Sequence, residues 1–169
     1  MKKILLAIAA LVIAVSAQAQ GTLTFNNKVG TDVVAKVTKD GVGVAGTEYT
    51  AQLVLVGGNG SLTALTPTAI FRTGAGAGYV SQPTEEVVVP GVAAGSSATF
   101  LMRAWNTSAG SYAAASEYGQ SAPFTVSLGG GLLPGSNLVG LQPFVLIPEP
   151  ATIALLALGG AALLIRRRK

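Results

Sequence analysis

Where this chain is most regular, polar and apolar residues change places at every step. Thr22-Leu23-Thr24-Phe25 alternates in this way, and residues 49–56 alternate again, less strictly over Leu53-Val54-Leu55-Val56, before Gly57-Gly58-Asn59-Gly60. A period of two sends successive side chains to opposite faces, so each stretch predicts a β-strand. Residues 33–38 are rich in β-branched side chains and run into Lys39-Asp40-Gly41. Both Gly-containing clusters are turn signals of the kind that join hairpin strands. Further strands are expected at 69–73, 85–89, 98–105, 122–128 and 144–147. Eight short strands between Gly, Pro and Asn clusters are the pattern of an antiparallel sandwich or open barrel, and the fold expected is all-β, a single antiparallel β-sandwich-like domain. Within 98–105, Phe100, Met102 and Ala104 share one face while Thr99, Leu101, Arg103 and Trp105 share the other. Large apolar groups on both faces suit a central strand. The best helical candidate is 111–118, in the connection before 122–128. No repeat of fixed period emerges, which argues against a solenoid.

Two uninterrupted apolar runs break this alternation, one at each end. Met1-Lys2-Lys3, an apolar stretch over 4–15 and Ala17-Gln18-Ala19 form the charged, apolar and small-x-small regions of a secretory leader. Residues 1–19 are therefore expected to be a signal peptide, cut by signal peptidase between Ala19 and Gln20. The competing reading is an uncleaved membrane helix. At the other end, Ile147-Pro148-Glu149-Pro150 opens the run 151–165, closed by Arg166-Arg167-Arg168-Lys169. The run begins at Ala151, carries Leu155, Leu156, Leu158, Leu163, Leu164 and Ile165, and holds no charge. As a helix it is apolar on every side, which suits lipid. It covers roughly 22 Å at 1.5 Å per residue, short of the roughly 30 Å hydrocarbon layer, so it makes a weak anchor. The four cations that follow favour the cytoplasmic side, which places everything before Pro148 outside.

With the ends set aside, the charge picture reverses. The formal charge is +4, yet six of the eleven Lys and Arg residues lie at Lys2, Lys3 and 166–169. Between Gln20 and Ile147, five cations face six acids, a net charge of −1, so no basic patch and no nucleic-acid partner are expected. The chain has no Cys, hence no disulfide and no thiolate nucleophile or metal ligand. It has no His either, which excludes Ser-His-Asp and Cys-His catalysis and His-ligated metals.

The remaining candidates for chemistry are few. The alternating glycines of Arg72-Thr73-Gly74-Ala75-Gly76-Ala77-Gly78-Tyr79 suggest a nucleotide loop but lack the Lys-Ser/Thr of a P-loop and a following helix. A flexible connection or bulge between strands is the expectation. Glu85 and Glu86 are neighbours, and on a strand they would point apart. Asp32, Asp40 and Glu48 are candidate calcium ligands from loops, though their spacing matches no EF-hand. Asn106-Thr107-Ser108 fits a glycosylation pattern and reads as a polar loop. Trp105 is expected to pack, with Arg103 stacked on it or paired with a carboxylate. No metal and no cofactor are expected.

Pro148-Glu149-Pro150, a single apolar run and an Arg cluster at the chain end together resemble the PEP-CTERM sorting domain of exported bacterial proteins; an ordinary tail anchor is the alternative. The resemblance divides the chain into a leader (1–19), an exported domain (20–146) and a sorting signal (147–169), in which 151–165 is the transmembrane helix. It implies recognition by an exosortase, a membrane-embedded cysteine peptidase, after transient residence in the inner membrane with the C-terminus cytoplasmic, and delivery to the cell surface or beyond. Gln20-Gly21-Thr22-Leu23-Thr24-Phe25-Asn26-Asn27, the segment Arg72 to Tyr79 preceded by Phe71, Arg103-Ala104-Trp105, and Gly119-Gln120-Ser121 before Phe124 look like a group of small PEP-CTERM proteins with no assigned activity. That likeness implies a topology and no chemistry. The expectation is a non-enzymatic surface or matrix protein associated with exopolysaccharide. The alternative is a small secreted carbohydrate-binding or carbohydrate-active protein using Glu48, Glu85 or Asp32, with Trp105, Tyr49, Tyr79 or Tyr112 as stacking platforms.

Overall fold

The computed structural model describes residues 20–148; the readings placed on 1–19 and 149–169 lie outside the described residues. In chain order the strands are β1 (Gln20–Leu23), β2 (Lys28–Val29), β3 (Val33–Val34), β4 (Val37–Lys39), β5 (Val42–Gly43), β6 (Gly46–Val56) and β7 (Leu62–Ala64), then β8 (Ala69–Phe71), β9 (Val87–Ala93), β10 (Ser97–Asn106), β11 (Glu117–Gln120), β12 (Phe124–Ser127), β13 (Phe144–Val145) and β14 (Ile147–Pro148). The described residues are thus all-β, and their helical content is three single 3-10 turns.

The largest sheet runs in the order β14-β11-β10-β6-β7, with β12 also on β10 and β8 also on β6. β10 is central, as its two apolar faces require. It pairs with β6 along Thr99 to Asn106, and on its other side with β12 and then β11. Ser121 bridges the change of partner: its hydroxyl accepts from the Met102 N–H at 3.0 Å, and its own N–H donates to the Met102 carbonyl at 2.9 Å. Phe100, Met102 and Ala104 are completely buried and join Leu53, Phe25, Phe71 and Leu138 in one core. Val54, Leu101 and Trp105 are also buried but stand outside that core, on the sheet's other face. The remaining strands form three smaller sheets: β1 with β9, the hairpin β2–β3, and β13-β4-β5.

Both expected hairpin turns are present. Asp40 and Gly41 take φ of 51° and 80° between the paired residues Lys39 and Val42, the left-handed pair that a two-residue hairpin loop demands. Gly57 to Gly60 joins β6 to β7, with the Asn59 carboxamide accepting from the Ser61 N–H at 3.0 Å.

Four expectations need correction. The helix at 111–118 is not formed. Its alanines give one 3-10 turn at Tyr112–Ala114, after which Glu117 and Tyr118 enter β11, because pairing Tyr118 with Trp105 and stacking Tyr112 on Trp105 outweigh local propensity. The strand at 85–89 starts only at Val87, since Glu86 is turned aside to accept the Gly135 N–H at 2.8 Å. Residues 33–38 keep their alternating burial but split into β3 and β4, as the Ala35 N–H is taken by Asn27 and the Val37 N–H by Gly78. The pairing is not wholly antiparallel: β13 lies parallel to β4, with Phe144 opposite Val37.

The C-terminal junction as candidate functional site

The chain leaves the domain through a zigzag. Phe144 and Leu146 point into the core, while Val145 and Ile147 are 52% and 63% exposed. The Leu146 N–H donates to the Thr38 carbonyl at 2.7 Å, which ties the exit to β4. Beyond it Ile147 pairs with Tyr118 and Pro148 with Glu117. Proline has no N–H to donate and is tolerated at a sheet margin, and it holds the preceding residue extended. Ile147-Pro148 is therefore suited to be the outermost strand. Gly119 makes the approach feasible: a Cβ there would collide with the Val145 carbonyl. The ladder of the domain thus runs into the first residue of Pro148-Glu149-Pro150.

Beside this exit lies a groove of about 500 Å³ lined by Tyr112, Tyr118, Gly119, Val145, Ile147 and Pro148, with Gln120 at its rim. Its wall is an aromatic stack. Trp105 meets Tyr112 edge-on with centroids 6.1 Å apart, and Tyr112 meets Tyr118 at 5.4 Å. The Arg103 guanidinium sits 4.5 Å from the Tyr112 centroid, and its Nε donates to Gln120 Oε1 at 3.3 Å. Burial raises the Tyr112 hydroxyl above its ordinary pKa, against the opposing pull of Arg103. Trp105 is a packing residue, as expected, but Arg103 stacks on Tyr112, neither on Trp105 nor on a carboxylate.

The carboxylates are placed apart from the groove. Lys39 Nζ lies 2.6 Å from Glu117 Oε1, and the Tyr49 hydroxyl donates to Oε2 at 3.3 Å. The Lys39 hydrogen bond holds Glu117 below the usual carboxylate range and Lys39 above the usual amine range. Glu86 is held low by the Thr22 hydroxyl, which reaches it outside regular hydrogen-bond geometry, and by the Gly135 N–H. Asp40 and Glu48 line one hollow of about 370 Å³ with Lys39 and Tyr49; Asp32 and Glu85 do not. Among the described residues no three acids are gathered as a metal site. The glycine-rich 72–79 loop is closed rather than loose: the Arg72 N–H donates to the Tyr79 carbonyl at 2.8 Å and its Nε to the Val80 carbonyl at 2.9 Å. Its arginine is committed to backbone. Lys28 lies over the Tyr79 ring at 5.5 Å, and Asn106 caps the turn at Ser108.

Of the residues singled out in the sequence, Pro148 is in β14 and Gln20 begins β1 opposite Ala93. Ala17, Ala19, Glu149, Pro150, the membrane-run residues from Ala151 to Ile165 and the basic residues from Arg166 to Lys169 lie outside the described residues. Among the described residues no helix is long and apolar enough to cross a membrane. Gly119 and Tyr118, which seat the exit strand, were not singled out for that role. Only the close approach of two backbones reveals Gly119, whereas Tyr118 was hidden inside the expected helix. Residues 146–169 match the family model described as the PEP-CTERM protein-sorting motif. No curated protein and no solved structure matches the chain. The chain therefore carries a PEP-CTERM signal for exosortase-dependent sorting of a secreted protein toward the cell surface.

Proposed function

We propose that this chain is a non-enzymatic structural protein of the cell surface or extracellular matrix, with a sandwich-like β-domain as the exported cargo. Residues 1–19 are its leader, 151–165 its transient inner-membrane helix with a cytoplasmic basic end, and Pro148-Glu149-Pro150 the element presented to the exosortase. Exopolysaccharide is its expected surroundings. The observation that carries this reading is the sorting-motif match over 146–169, which starts at the last buried residue of the domain.

Changing Pro148, Glu149 and Pro150 together to alanine is the test. Intact mass of the protein recovered from the native surface should show loss of the Arg-rich end in the parent. The triple variant should retain that end and stay in the inner membrane. A variant of unchanged size and destination refutes the exosortase reading and leaves the plain tail anchor. Of the acids named for the carbohydrate-active alternative, Glu48 lines a hollow together with Asp40, whereas Glu85 and Asp32 stand outside that hollow. Hydrolysis of a polysaccharide that stops with Glu48→Gln would favour that alternative.

A further inference from the structure

We infer that the groove beside the exit strand is a lipid-facing surface, which seats the folded domain on the bilayer that holds its C-terminal run. This rests on the proposed membrane insertion of residues 151–165. Two residues, Glu149 and Pro150, separate Pro148 from Ala151, so the three steps reach roughly 10 Å even when fully extended. The edge carrying β14 is consequently held at the membrane face, whatever the rest of the domain does.

The chemistry of that edge fits the boundary between headgroups and acyl chains. Val145 and Ile147 stand 52% and 63% exposed, and Pro148 is exposed beside them. Two half-buried tyrosines present apolar rings with a hydroxyl, and tyrosine is enriched at this depth of a bilayer. No acid lines the groove, and Arg103 behind Tyr112 supplies a cation toward phosphate. The opposite edge of the same sheet is β7, four strand spacings away, or about 19 Å at 4.8 Å each. It faces water when the β14 edge faces lipid.

Because the chain has no cysteine, single labels report on each edge without background. The full chain carrying Val145→Cys or Leu62→Cys is labelled with an environment-sensitive fluorophore and reconstituted into phosphatidylcholine vesicles, with and without bromine on the acyl chains. The Val145→Cys label should shift to the blue and be quenched by brominated lipid, while the Leu62→Cys label keeps its aqueous spectrum. Adding Ile147→Asp should return the Val145→Cys label to an aqueous spectrum although the chain still floats with the vesicles. Flotation with an aqueous spectrum at Val145→Cys overturns the docking and leaves the anchor intact. Equal shifts at both edges overturn it as nonspecific adsorption. A blue shift without bromine quenching assigns the groove to protein instead of lipid and overturns it too. A chain that does not float refutes both the anchor and the seat that depends on it.

Discussion

Replacing Asn27 with alanine should cost more stability than any other polar truncation in the domain. Asn27 is completely buried, carried inward by the same alternation that buries Leu23 and Phe25. Its Nδ2 donates to the carbonyls of Ala35 at 2.6 Å and Gly78 at 3.1 Å, and its Oδ1 accepts from the Val80 N–H at 2.7 Å. One carboxamide therefore joins the end of β3 to the close of the 72–79 loop. In Asn27→Ala the Gly78 carbonyl keeps the Val37 N–H, but the Val80 N–H and the Ala35 carbonyl lose these side-chain partners. Each buried orphan costs about 1–3 kcal/mol, so the loss should be about 3–4 kcal/mol. That is a large part of a typical stability of about 5–15 kcal/mol. In urea, with a slope of about 1–3 kcal/mol/M, the midpoint should fall by roughly 1–4 M. Trp105 fluorescence of the segment 20–148 follows the transition. Asn27→Asp keeps the acceptor but sets a charge against two carbonyls, and should lose at least as much. Asn26→Ala is the control: its Nδ2 donates to exposed Gln82 and its Oδ1 accepts from the Lys28 N–H at 3.0 Å, neither of them buried, and it should lose about 1 kcal/mol. A loss under about 1 kcal/mol for Asn27→Ala, or equal losses at 26 and 27, would refute the reasoning.

Gly119→Ala should push the Val145 carbonyl away and release β13 and β14; hydrogen exchange of the Leu146 amide should accelerate well before that of β10 amides. Met102→Ala, in the core, should cost about 2–5 kcal/mol in urea unfolding, whereas Leu132→Ala, on a fully exposed turn, should stay within about 0.5 kcal/mol. Folded-state pKa values of Glu117 and Glu86 lie below the unfolded value, so their stabilisation is present above about pH 4.3 and is lost as pH falls through the lower folded values. Lys39 is raised, so its share persists below about pH 10.4 and is lost as pH climbs past its higher folded value. Thermal melts of Glu117→Gln against pH should show a shallower acid limb than the parent; identical limbs would show that the Lys39 pair contributes nothing.

The strands that alternate strongly were legible in the sequence because burial on one face is all they need. β1 is the clearest case, β10 was readable instead from apolar groups on both of its faces, and the Asp40-Gly41 turn was readable because a left-handed pair closes such a loop. The segment 111–118 was misread since its alanines carry the local signal, whereas its fate is decided by Tyr112 and Tyr118 meeting Trp105 across the chain. Asn27 was invisible for a related reason: a polar residue in an alternating run gives no sign of whether carbonyls await it. The sorting motif was the most legible feature, being written in contiguous residues that require no folding to be recognised. Its attachment to the sheet was not, since Gly119 and Val145 meet only once both strands are in place.

The ladder between β11 and β14 spans two residue pairs, and the next residue inward, Leu146, is 1% exposed. Openings so short at a margin belong to the cheapest excursions a fold makes, while those that expose core side chains approach the cost of complete unfolding. The seam therefore tears at a defined place: the tail can be peeled back as far as Ile147 and no further. A chain severed past Pro148 would keep every described strand, so a cut there would call for no rearrangement of the domain.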